Sequence, residues 1–386
     1  MAGDDDDNFD VEIPGALNPA KVEFEPEQPL PLLPEFPDQP ELPADVREEI
    51  DDIERGGRLV AEDMFDKGYQ PVVLFGNAFS GKTSLLLSLF ATIRTESRLD
   101  CGLSLAPPIL SQQSAYGKYI QNHAESFWGR KTQDFIEGVA SPKTVIDFPF
   151  FIPVTLTPNE KTEANFAFME SNGEWYRADK GSEKLFPALR KQIEDFMAHY
   201  QGGILFIHLI PYTQQSVRSA TYDGSRDNSE IKEASLAIDG ALQAYKRVRH
   251  DKVNDKHIML VTKWDAHQLD TDRIDVLTDP DLSDVEEFVA QRYPQALASY
   301  KGLNLRPDQI ALNSFCAGIM TEQGVLSLRP GTEMRAAVLS YPIRLWGWLY
   351  REAMRNSDGV DSDPFPSPPP ESPLVQKFHA LMDRWF

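Results

Sequence analysis

The sequence predicts an α/β fold, a doubly wound and mostly parallel sheet with helices on both faces and a helical insertion. Three observations lead to this prediction. An apolar run at residues 71–75 is typical of a buried parallel strand, and a glycine-bounded loop connects it to an apolar helix. Apolar runs then alternate with amphipathic segments up to residue 356. The first 43 residues are acidic and rich in proline, a composition typical of a disordered tail.

The loop that follows the first apolar run has the pattern of a phosphate-binding loop. Residues 76–83 read GNAFSGKT, in which four residues separate two glycines and Lys and Thr follow. The glycines let the backbone N–H groups point at phosphate oxygens, and the next helix adds its positive end. Lys82 would reach the β- and γ-phosphates, and the Thr83 hydroxyl would bind Mg²⁺. The alternative is a chance motif in a strand–helix connection. We predict that the chain binds a nucleoside triphosphate with Mg²⁺ through Gly76, Asn77, Ser80, Gly81, Lys82, Thr83 and Ser84.

The formal net charge of −22 is concentrated at the start of the chain. Residues 1–50 hold 15 acidic residues against Lys21 and Arg47. Such a balance argues against nucleic acid and anionic membranes as partners, because both require basic surface. The two cysteines have neither a disulfide framework nor metal-ligand spacing, the first residues are acidic rather than basic, and no apolar run approaches 18 residues. We expect a cytoplasmic protein without a membrane span.

The predicted domain boundaries follow shifts in composition. Residues 1–43 are the tail, residues 44–356 the nucleotide-binding domain, and residues 95–143 a mostly helical insertion within that domain. A proline-rich linker, residues 357–373, precedes a short final helix at residues 374–386. Apolar residues interleaved with acids in the tail belong either to a docking motif or to a solubilising segment. We expect a protein partner to bind through the tails or the insertion.

Within the domain, each element is predicted from its periodicity and its end signals. Residues 44–67 have a helical pattern with a break at Gly56–Gly57, and a capping box from Ser283 to Glu286 opens a later helix that runs to residue 297. The other predicted helices cover residues 182–203, 231–249 and 340–355. The later predicted strands cover residues 148–158, 163–170, 203–211, 257–265 and 309–315, and residues 325–337 are predicted to form a hairpin.

A second motif indicates which base is bound. The tetrapeptide TKWD, Thr262–Asp265, closes an apolar strand well downstream of the phosphate loop. A carboxylate at Asp265 could accept hydrogen bonds from the guanine N1 and N2 groups, and adenine has no such donors on that edge. The sequence [NT]KxD in this place resembles the guanine-recognition motif of the Ras-like and translation-factor-like P-loop GTPases. By that resemblance the Lys263 stem lies over the base, and Ser314 marks the last strand end, where backbone amides touch the base. The alternative for TKWD is a surface turn.

The same resemblance implies a switch threonine and a carboxylate that complete the Mg²⁺ site. Thr144 is the best-placed threonine and Thr132 its competitor, although either could be a strand-entry residue. Glu170 stands where the family has the Asp of a DxxG motif, and its side chain is one methylene longer. Thr83, Thr144 and Glu170 are thus the predicted metal ligands. The alternative is a β-hairpin in which Asn172–Gly173 is simply the turn.

The resemblance implies phosphoryl transfer to water, which needs positioning of the reacting groups and neutralisation of phosphate charge more than a protein nucleophile. Lys82 would supply positive charge, the Gly173 N–H would meet the γ-phosphate, and Glu174 would orient water where Ras-like enzymes have Gln. A carboxylate at that place adds negative charge, so slow GTP hydrolysis is expected. The sequence places no arginine as a finger in cis, and the candidates are each expected at the surface: Arg130, Arg177 and Arg218.

One further resemblance concerns the order strand, [DE]xxGE, aromatic residue and helix. This order is similar to the bacterial double-GTPase families of predicted conflict (defence) systems. In those families a Pro-x-x-Thr precedes the second strand, whereas here Pro142 is followed by Lys143 and Thr144. The resemblance covers about residues 70–320, and it implies a defence role by analogy of fold.

The expected function is therefore a GTP-binding switch or assembly factor that hydrolyses GTP slowly. Two other classes stay open, namely a non-hydrolysing nucleotide-binding scaffold and an ATP-using P-loop NTPase in which TKWD is accidental. The position of Asp265 relative to the phosphate loop, and the direction of Glu170 relative to Thr83, discriminate among them. Three histidines without metal-ligand spacing are expected to cap or line the sheet: His250, His257 and His267.

Overall fold

The computed structural model describes residues 56–77, 80–110, 115–139, 150–159, 162–170, 185–212, 225–250, 253–267, 282–320, 326–327 and 332–355. The chain separates into two units, Met1–Ala44 and Asp45–Phe386, and every described residue belongs to the second. The predicted tail, linker and final helix lie outside the described residues, so those boundaries stay predictions.

The described part of the chain is built on one sheet of seven strands. They are β1 (Gln70–Phe75), β2 (Cys101–Leu105), β3 (Phe150–Pro158), β4 (Ala164–Glu170), β5 (Leu205–Pro211), β6 (Lys256–Thr262) and β7 (Ile310–Ser314). Their order is β2-β3-β4-β1-β5-β6-β7. Strands β4, β1, β5, β6 and β7 are parallel, whereas β3 is antiparallel to both β2 and β4. The predicted doubly wound, mostly parallel α/β sheet is confirmed. In such sheets, ligands bind at the carboxyl ends of the strands beside the point where strand order reverses.

Helices connect most of the strands. They are α1 (residues 56–66), α2 (Lys82–Thr95), α3 (Ala115–Ser126), α4 (Thr132–Ile136), α5 (Leu185–His199), α6 (Ser225–Val248), α7 (Leu282–Arg292), α8 (Pro294–Lys301) and α9 (Thr332–Met354). A π-helical segment, Phe127–Lys131, joins α3 to α4. Two short strands, β8 (Ile319–Met320) and β9 (Leu326–Ser327), pair with each other outside the main sheet. Among the described residues, no helix is both long and apolar enough to cross a membrane.

Aromatic side chains cover both faces of the sheet. On one face, Phe168 of β4 meets Phe90 of α2 and Trp346 of α9, with ring centroids 5.5 and 5.6 Å apart. On the other face, Phe206 of β5 packs against Tyr245 of α6 at 5.0 Å. Strand β1, in the middle, is buried from its second residue to its last. Burial on both faces explains why these strands read as apolar runs rather than as alternating patterns.

The insertion contributes a strand that the sequence analysis missed. Strand β2 pairs antiparallel with β3 from Cys101 opposite Pro158 to Leu105 opposite Val154. Its five residues, CGLSL, are half-buried or exposed because β2 is an edge strand. A short run containing glycine and serine has little strand propensity, so its pairing with β3 determines its conformation.

Several predicted element boundaries were wrong. Helix α6 begins at Ser225 rather than at residue 231, α9 begins at Thr332 rather than at residue 340, and β6 ends at Thr262 rather than at residue 265. Helix α7 begins at Leu282, which places Ser283 inside the helix rather than at its cap. The helix was expected to continue to residue 297, but Pro294 starts a separate helix, α8, because its ring cannot continue the ladder of α7. The predicted hairpin at residues 325–337 is formed instead by β8 and β9, and the second half of that range belongs to α9, which begins at Thr332.

Gly56 and Gly57 begin the described part of α1, and the residues before them lie outside the described residues, so the predicted break there stays a prediction. A Cβ on Gly57 would come within 2.1 Å of the Gln192 carbonyl oxygen in α5, and one on Gly56 within 3.0 Å of the Tyr116 ring. The glycines therefore allow close approach of neighbouring elements, which outweighs their low helix propensity.

Two buried histidines lie side by side between β5 and β6. Nε2 of His208 is 3.1 Å from Nδ1 of His257, and both side chains are fully buried. The Phe206 ring stacks on His257 with centroids 4.6 Å apart, and Tyr245 packs edge-on at 4.7 Å. His257 thus lines the sheet, as expected. Burial lowers the pKa of His208 from 6.5 to about 3.

This buried imidazole predicts a loss of stability in acid. The folded chain keeps His208 neutral, whereas the unfolded chain takes up a proton below its ordinary pKa of 6.5. The contribution of His208 to the free energy of unfolding is therefore highest above pH 6.5, and between pH 6.5 and pH 3 it falls by about 1.4 kcal/mol for each pH unit. Urea denaturation at pH 7, 6 and 5 should give a shallower pH dependence for His208→Gln than for the wild type. The exposed-site variant His199→Gln should keep the wild-type slope, and equal slopes for all three proteins would refute the prediction.

Candidate functional site

The loop between β1 and α2 has glycine-specific geometry at both of its ends. A Cβ on Gly76 would lie 2.4 Å from the Ser80 hydroxyl oxygen and 3.2 Å from the Leu209 Cβ. Gly81 caps α2 in the left-handed region, with φ of 88°. The first turn of a helix presents N–H groups that its own ladder leaves available, and here that turn begins with Lys82, Thr83 and Ser84. The loop therefore has the backbone of an anion-binding site.

Lys82 reaches back across this loop. Its ammonium donates to the carbonyl oxygens of Gly76 at 3.0 Å and Asn77 at 2.9 Å, and its side chain is only 7% exposed. Asn77 and Ser80 are buried as well, and in the described part of the chain the Asn77 Oδ1 and the Ser80 Oγ have no hydrogen-bond partner. A buried cation and a buried serine hydroxyl, which can donate a hydrogen bond, at the N-terminal end of a helix form an arrangement suited to a phosphate group.

Glu170 points toward the loop, as the switch hypothesis requires. The Thr83 hydroxyl donates to the Glu170 Oε1 at 2.8 Å, and the carboxylate is 1% exposed. Burial raises the pKa of Glu170, an effect that the charges of Lys82 and Lys131 and the Thr83 hydrogen bond oppose. Its Oε2 has no hydrogen-bond partner within the described residues. A buried carboxylate with an open oxygen beside a hydroxyl is a donor set of the hard oxygen type that Mg²⁺ prefers. The residues present therefore fit a Mg²⁺ ion.

Glu170 ends a central strand of the sheet, next to the phosphate loop. Strand β4 pairs with β3 through Phe150 opposite Glu170 and with β1 through Val73 opposite Met169. Asn172–Gly173 lies outside the described residues, so the alternative of a hairpin turn there stays open.

Several predicted catalytic and metal residues remain untested. Thr144, Gly173 and Glu174 lie outside the described residues. Thr132, the competitor for the switch position, is fully buried in α4 and donates to the Phe127 carbonyl at 2.9 Å. Its hydroxyl is used within the helical insertion, so Thr132 has a structural role.

The TKWD segment lies on the same edge of the sheet as the phosphate loop. The Thr262 hydroxyl, at the end of β6, donates to the Ser80 carbonyl at 2.7 Å. Lys263 follows in the left-handed region, with φ of 58°, which is uncommon for a residue other than glycine. This sharp turn leads directly to Asp265, whose side chain is 4% exposed. The sequence predicts Thr262 only as part of the TKWD motif and gives no signal for its link between the TKWD segment and the phosphate loop.

Backbone hydrogen bonds join TKWD to the end of β7. The Trp264 N–H donates to the Phe315 carbonyl at 3.2 Å, and the Phe315 N–H donates to the Val261 carbonyl at 2.7 Å. Ser314, which ends β7, is buried in the same place. The Trp264 indole is fully buried, with the Tyr212 ring 5.5 Å away. Trp264 thus anchors the turn that carries the predicted base-binding residues.

The surroundings of Asp265 include a cysteine that the sequence analysis did not assign to the site. Cys316 is a buried free thiol whose Sγ–H donates to the Gly318 carbonyl. Burial and the neighbouring Asp265 carboxylate raise the pKa of Cys316 well above its ordinary value. A thiol held in its neutral form is a poor nucleophile, so Cys316 contributes packing and a weak hydrogen-bond donor.

The remaining candidate groups are an arginine on the surface and a histidine beside the TKWD turn. Arg130 is 86% exposed at its side chain and lies 3.9 Å from the Asp134 carboxylate, as expected for a surface residue. His267 contacts the Tyr212 hydroxyl at 3.1 Å. Within the described residues, no group of three or more His, Cys, Asp and Glu side chains is arranged to hold a metal ion.

Comparisons with known proteins gave structural neighbours only. No protein-family model matches the chain, and no curated protein sequence matches it significantly. Among solved structures, the chain is similar to the Saccharomyces cerevisiae Ski7 GTPase-like domain. With GDP and inorganic phosphate bound, that domain has a TM-score of 0.34 at 12% identity, and with GTP bound 0.35 at 11%. Either match covers 77% of this chain and 53% of the Ski7 chain, so the chain spans about half the length of these relatives. The signal recognition particle receptor SRb-GTP/SRX complex from Chaetomium thermophilum gives a TM-score of 0.30 at 14% identity, covering 72% of this chain and 98% of that chain.

Proposed function

We propose that this chain binds GTP with Mg²⁺ at the carboxyl edge of β1, β5, β6 and β7, and hydrolyses it slowly as a switch or assembly factor. One observation carries the proposal. The 2.7 Å hydrogen bond from Thr262 to the Ser80 carbonyl joins the base motif to the phosphate loop. The two motifs are 182 residues apart in the chain, and their contact is what a single nucleotide spanning both would require.

Base selection is assigned to Asp265. A carboxylate presents two acceptor oxygens and no donor, which complements the guanine N1–H and N2–H₂ groups. Adenine presents no such pair of donors, so its edge would not complement the two acceptor oxygens of this buried carboxylate. This complementarity favours GTP over the alternative in which the chain uses ATP.

Phosphate and metal binding are assigned to the other end of the site. Lys82 and the first turn of α2 would hold the phosphates, and Thr83 and Glu170 would hold Mg²⁺, with Thr144 proposed as a further ligand. A bound Mg²⁺ would supply Lewis-acid neutralisation of charge on the phosphate oxygens. Gly173 and Glu174 are proposed to contact the γ-phosphate and the attacking water. Glu170 points toward Thr83, and this direction favours a site that responds to nucleotide over a non-hydrolysing nucleotide-binding scaffold.

The proposal is tested by calorimetric titration of GTP into the wild type and Glu170→Gln, each with and without Mg²⁺. In the wild type we expect Mg²⁺ to strengthen GTP binding by roughly tenfold or more, since it neutralises phosphate and carboxylate charge. The variant keeps the shape of the side chain but loses its charge, so the Mg²⁺ dependence should shrink. Absence of GTP binding by the folded wild type in Mg²⁺ would refute the proposed function.

We further propose the organisation and setting that the sequence predicts. The GTPase-like domain spans residues 44–356, and residues 1–43 and the insertion at residues 95–143 are the proposed contacts for a protein partner. We propose a cytoplasmic location on the basis of composition, and a role in bacterial defence on the basis of the sequence resemblance.

A further inference from the structure

The insertion packs directly on the helix that follows the phosphate loop. Phe90 lies two turns after Thr83 on α2, and therefore on the same side of that helix. The Phe90 ring contacts Phe127 and Trp128 of the π-helical segment, with centroids 5.9 and 5.8 Å apart. Arg94, one turn further along α2, donates to the Trp128 carbonyl at 3.0 Å. The π-helical segment is thus fixed to the helix that begins at the phosphate loop.

Two adjacent basic residues of this segment face different surroundings. Arg130 is 86% exposed and lies in solvent near Asp134. Lys131 is half-buried, with its Nζ 5.5 Å from the centroid of the Phe127 ring. The Phe127 ring lies 6.5 Å from the Phe150 ring, and Phe150 is the cross-strand partner of Glu170, so Lys131 lies on the face of β3 and β4 that carries the buried Glu170 carboxylate. The wider turn of a π-helix adds one residue to the helical ladder, and such segments occur frequently at functional sites.

This arrangement places a second ammonium on the Mg²⁺ side of the candidate site. Thr83 bonds Glu170 directly, and Phe168, two residues before Glu170 on the same face of β4, contacts Phe90. The Phe90 ring contacts the Phe127 ring, and Lys131 follows Phe127 by one turn of the π-helical segment. A half-buried lysine loses hydration, so it is stabilised by a nearby anion. Apart from Glu170, the densest negative charge at this position would be the terminal phosphate of a bound triphosphate.

We propose that Lys131 is a second cation of the phosphate site, supplied by the insertion of the same chain, and that it contacts the terminal phosphate of a bound triphosphate. The inference rests on the proposed function, since it requires a nucleotide at the phosphate loop. It assigns the insertion a role in distinguishing a triphosphate from a diphosphate. A lysine serves this purpose as a point charge without a fixed fork geometry.

The test compares Lys131→Met with the matched control Arg130→Met in the full chain. Affinities for GDP and for a non-hydrolysable GTP analogue are measured by calorimetry in Mg²⁺. We expect Lys131→Met to weaken the analogue roughly tenfold, the effect of one lost charge-assisted contact, and to change GDP affinity less than twofold. Arg130→Met should change neither affinity, and Lys131→Arg should restore most of the loss. An unchanged ratio of analogue to GDP affinity in Lys131→Met would overturn the inference.

A second measurement avoids any loss of folding in the variants. Wild-type protein is treated with an amine-acetylating reagent, and modification of Lys131 is quantified by mass spectrometry with no nucleotide, with GDP and with the analogue. Selective protection by the analogue is expected, and equal modification with GDP and the analogue would overturn the inference. A wild type that binds neither nucleotide would instead overturn the proposed function on which the inference rests.

Discussion

Asp265→Asn is expected to exchange guanine recognition for xanthine recognition. The substitution replaces one carboxylate oxygen by an NH₂ group without changing the size of this buried side chain. The new side-chain NH₂ group would then face the N2 amino group of guanine, and both are donors. The C2 carbonyl of xanthine, in contrast, would accept a hydrogen bond from that NH₂ group. Loss of about two charge-assisted hydrogen bonds, each ~1.5–3 kcal/mol, predicts GTP affinity reduced about 100-fold or more. Binding of xanthosine triphosphate should rise in the same variant, and calorimetry with both nucleotides measures the exchange.

The matched control for this exchange is Asp66→Asn, at an exposed position at the end of α1. It removes one negative charge from the same chain and should leave the affinities for both nucleotides at their wild-type values. Because Asp265 borders Cys316 and belongs to the anchored TKWD turn, the melting temperature of each variant is measured alongside. A folded Asp265→Asn protein that binds GTP as tightly as the wild type would contradict the base assignment.

Lys82→Ala is expected to remove most triphosphate binding whatever the base. The ammonium is buried and bonded to two loop carbonyls, so its positive charge is held where the phosphates would lie. Its loss leaves phosphate oxygens without a charge-assisted donor and the Gly76 and Asn77 carbonyls without their partner. By the cost of breaking a buried ionic contact, ~3–5 kcal/mol, GTP affinity should fall by about 100-fold to several thousand-fold.

The control for Lys82→Ala is Lys118→Ala, an exposed lysine on α3. Its GTP affinity should match that of the wild type. Fluorescence-detected titration with GTP, with circular dichroism to verify folding, distinguishes the two variants. Retention of wild-type affinity by folded Lys82→Ala would place the phosphates elsewhere and reject the phosphate-loop assignment.

Much of the fold could be predicted because its strands are buried on both faces. Val72 to Phe75 and Ile258 to Val261 are continuous apolar runs within buried strands, a pattern typical of strands covered on both faces. Strand β2 was missed because an edge strand of mixed polarity depends on its partner strand for its conformation. The close approach of the α1 glycines to α5 and Tyr116 is a tertiary contact, for which the local sequence carries no signal.

The candidate site was predictable where a motif keeps its residues within a few positions of each other. The phosphate loop is such a motif, since its glycine geometry and Lys82 contacts arise within eight residues. Lys131 belongs to no motif, and its approach to Glu170 depends on how Phe127 packs on α2. The link from Thr262 to Ser80 likewise joins distant segments, so a single sequence carries no direct signal for it.

The most direct test of the central claim is competition for a fluorescent GTP analogue bound to the wild type in Mg²⁺. The competitors are GTP, inosine triphosphate, which lacks the N2 amino group, and ATP. A guanine site built on Asp265 predicts that GTP displaces best, that inosine triphosphate is weaker by roughly tenfold, and that ATP is weaker by about 100-fold or more. Equal displacement by GTP and ATP would contradict guanine recognition and leave only a phosphate-binding loop without base selection.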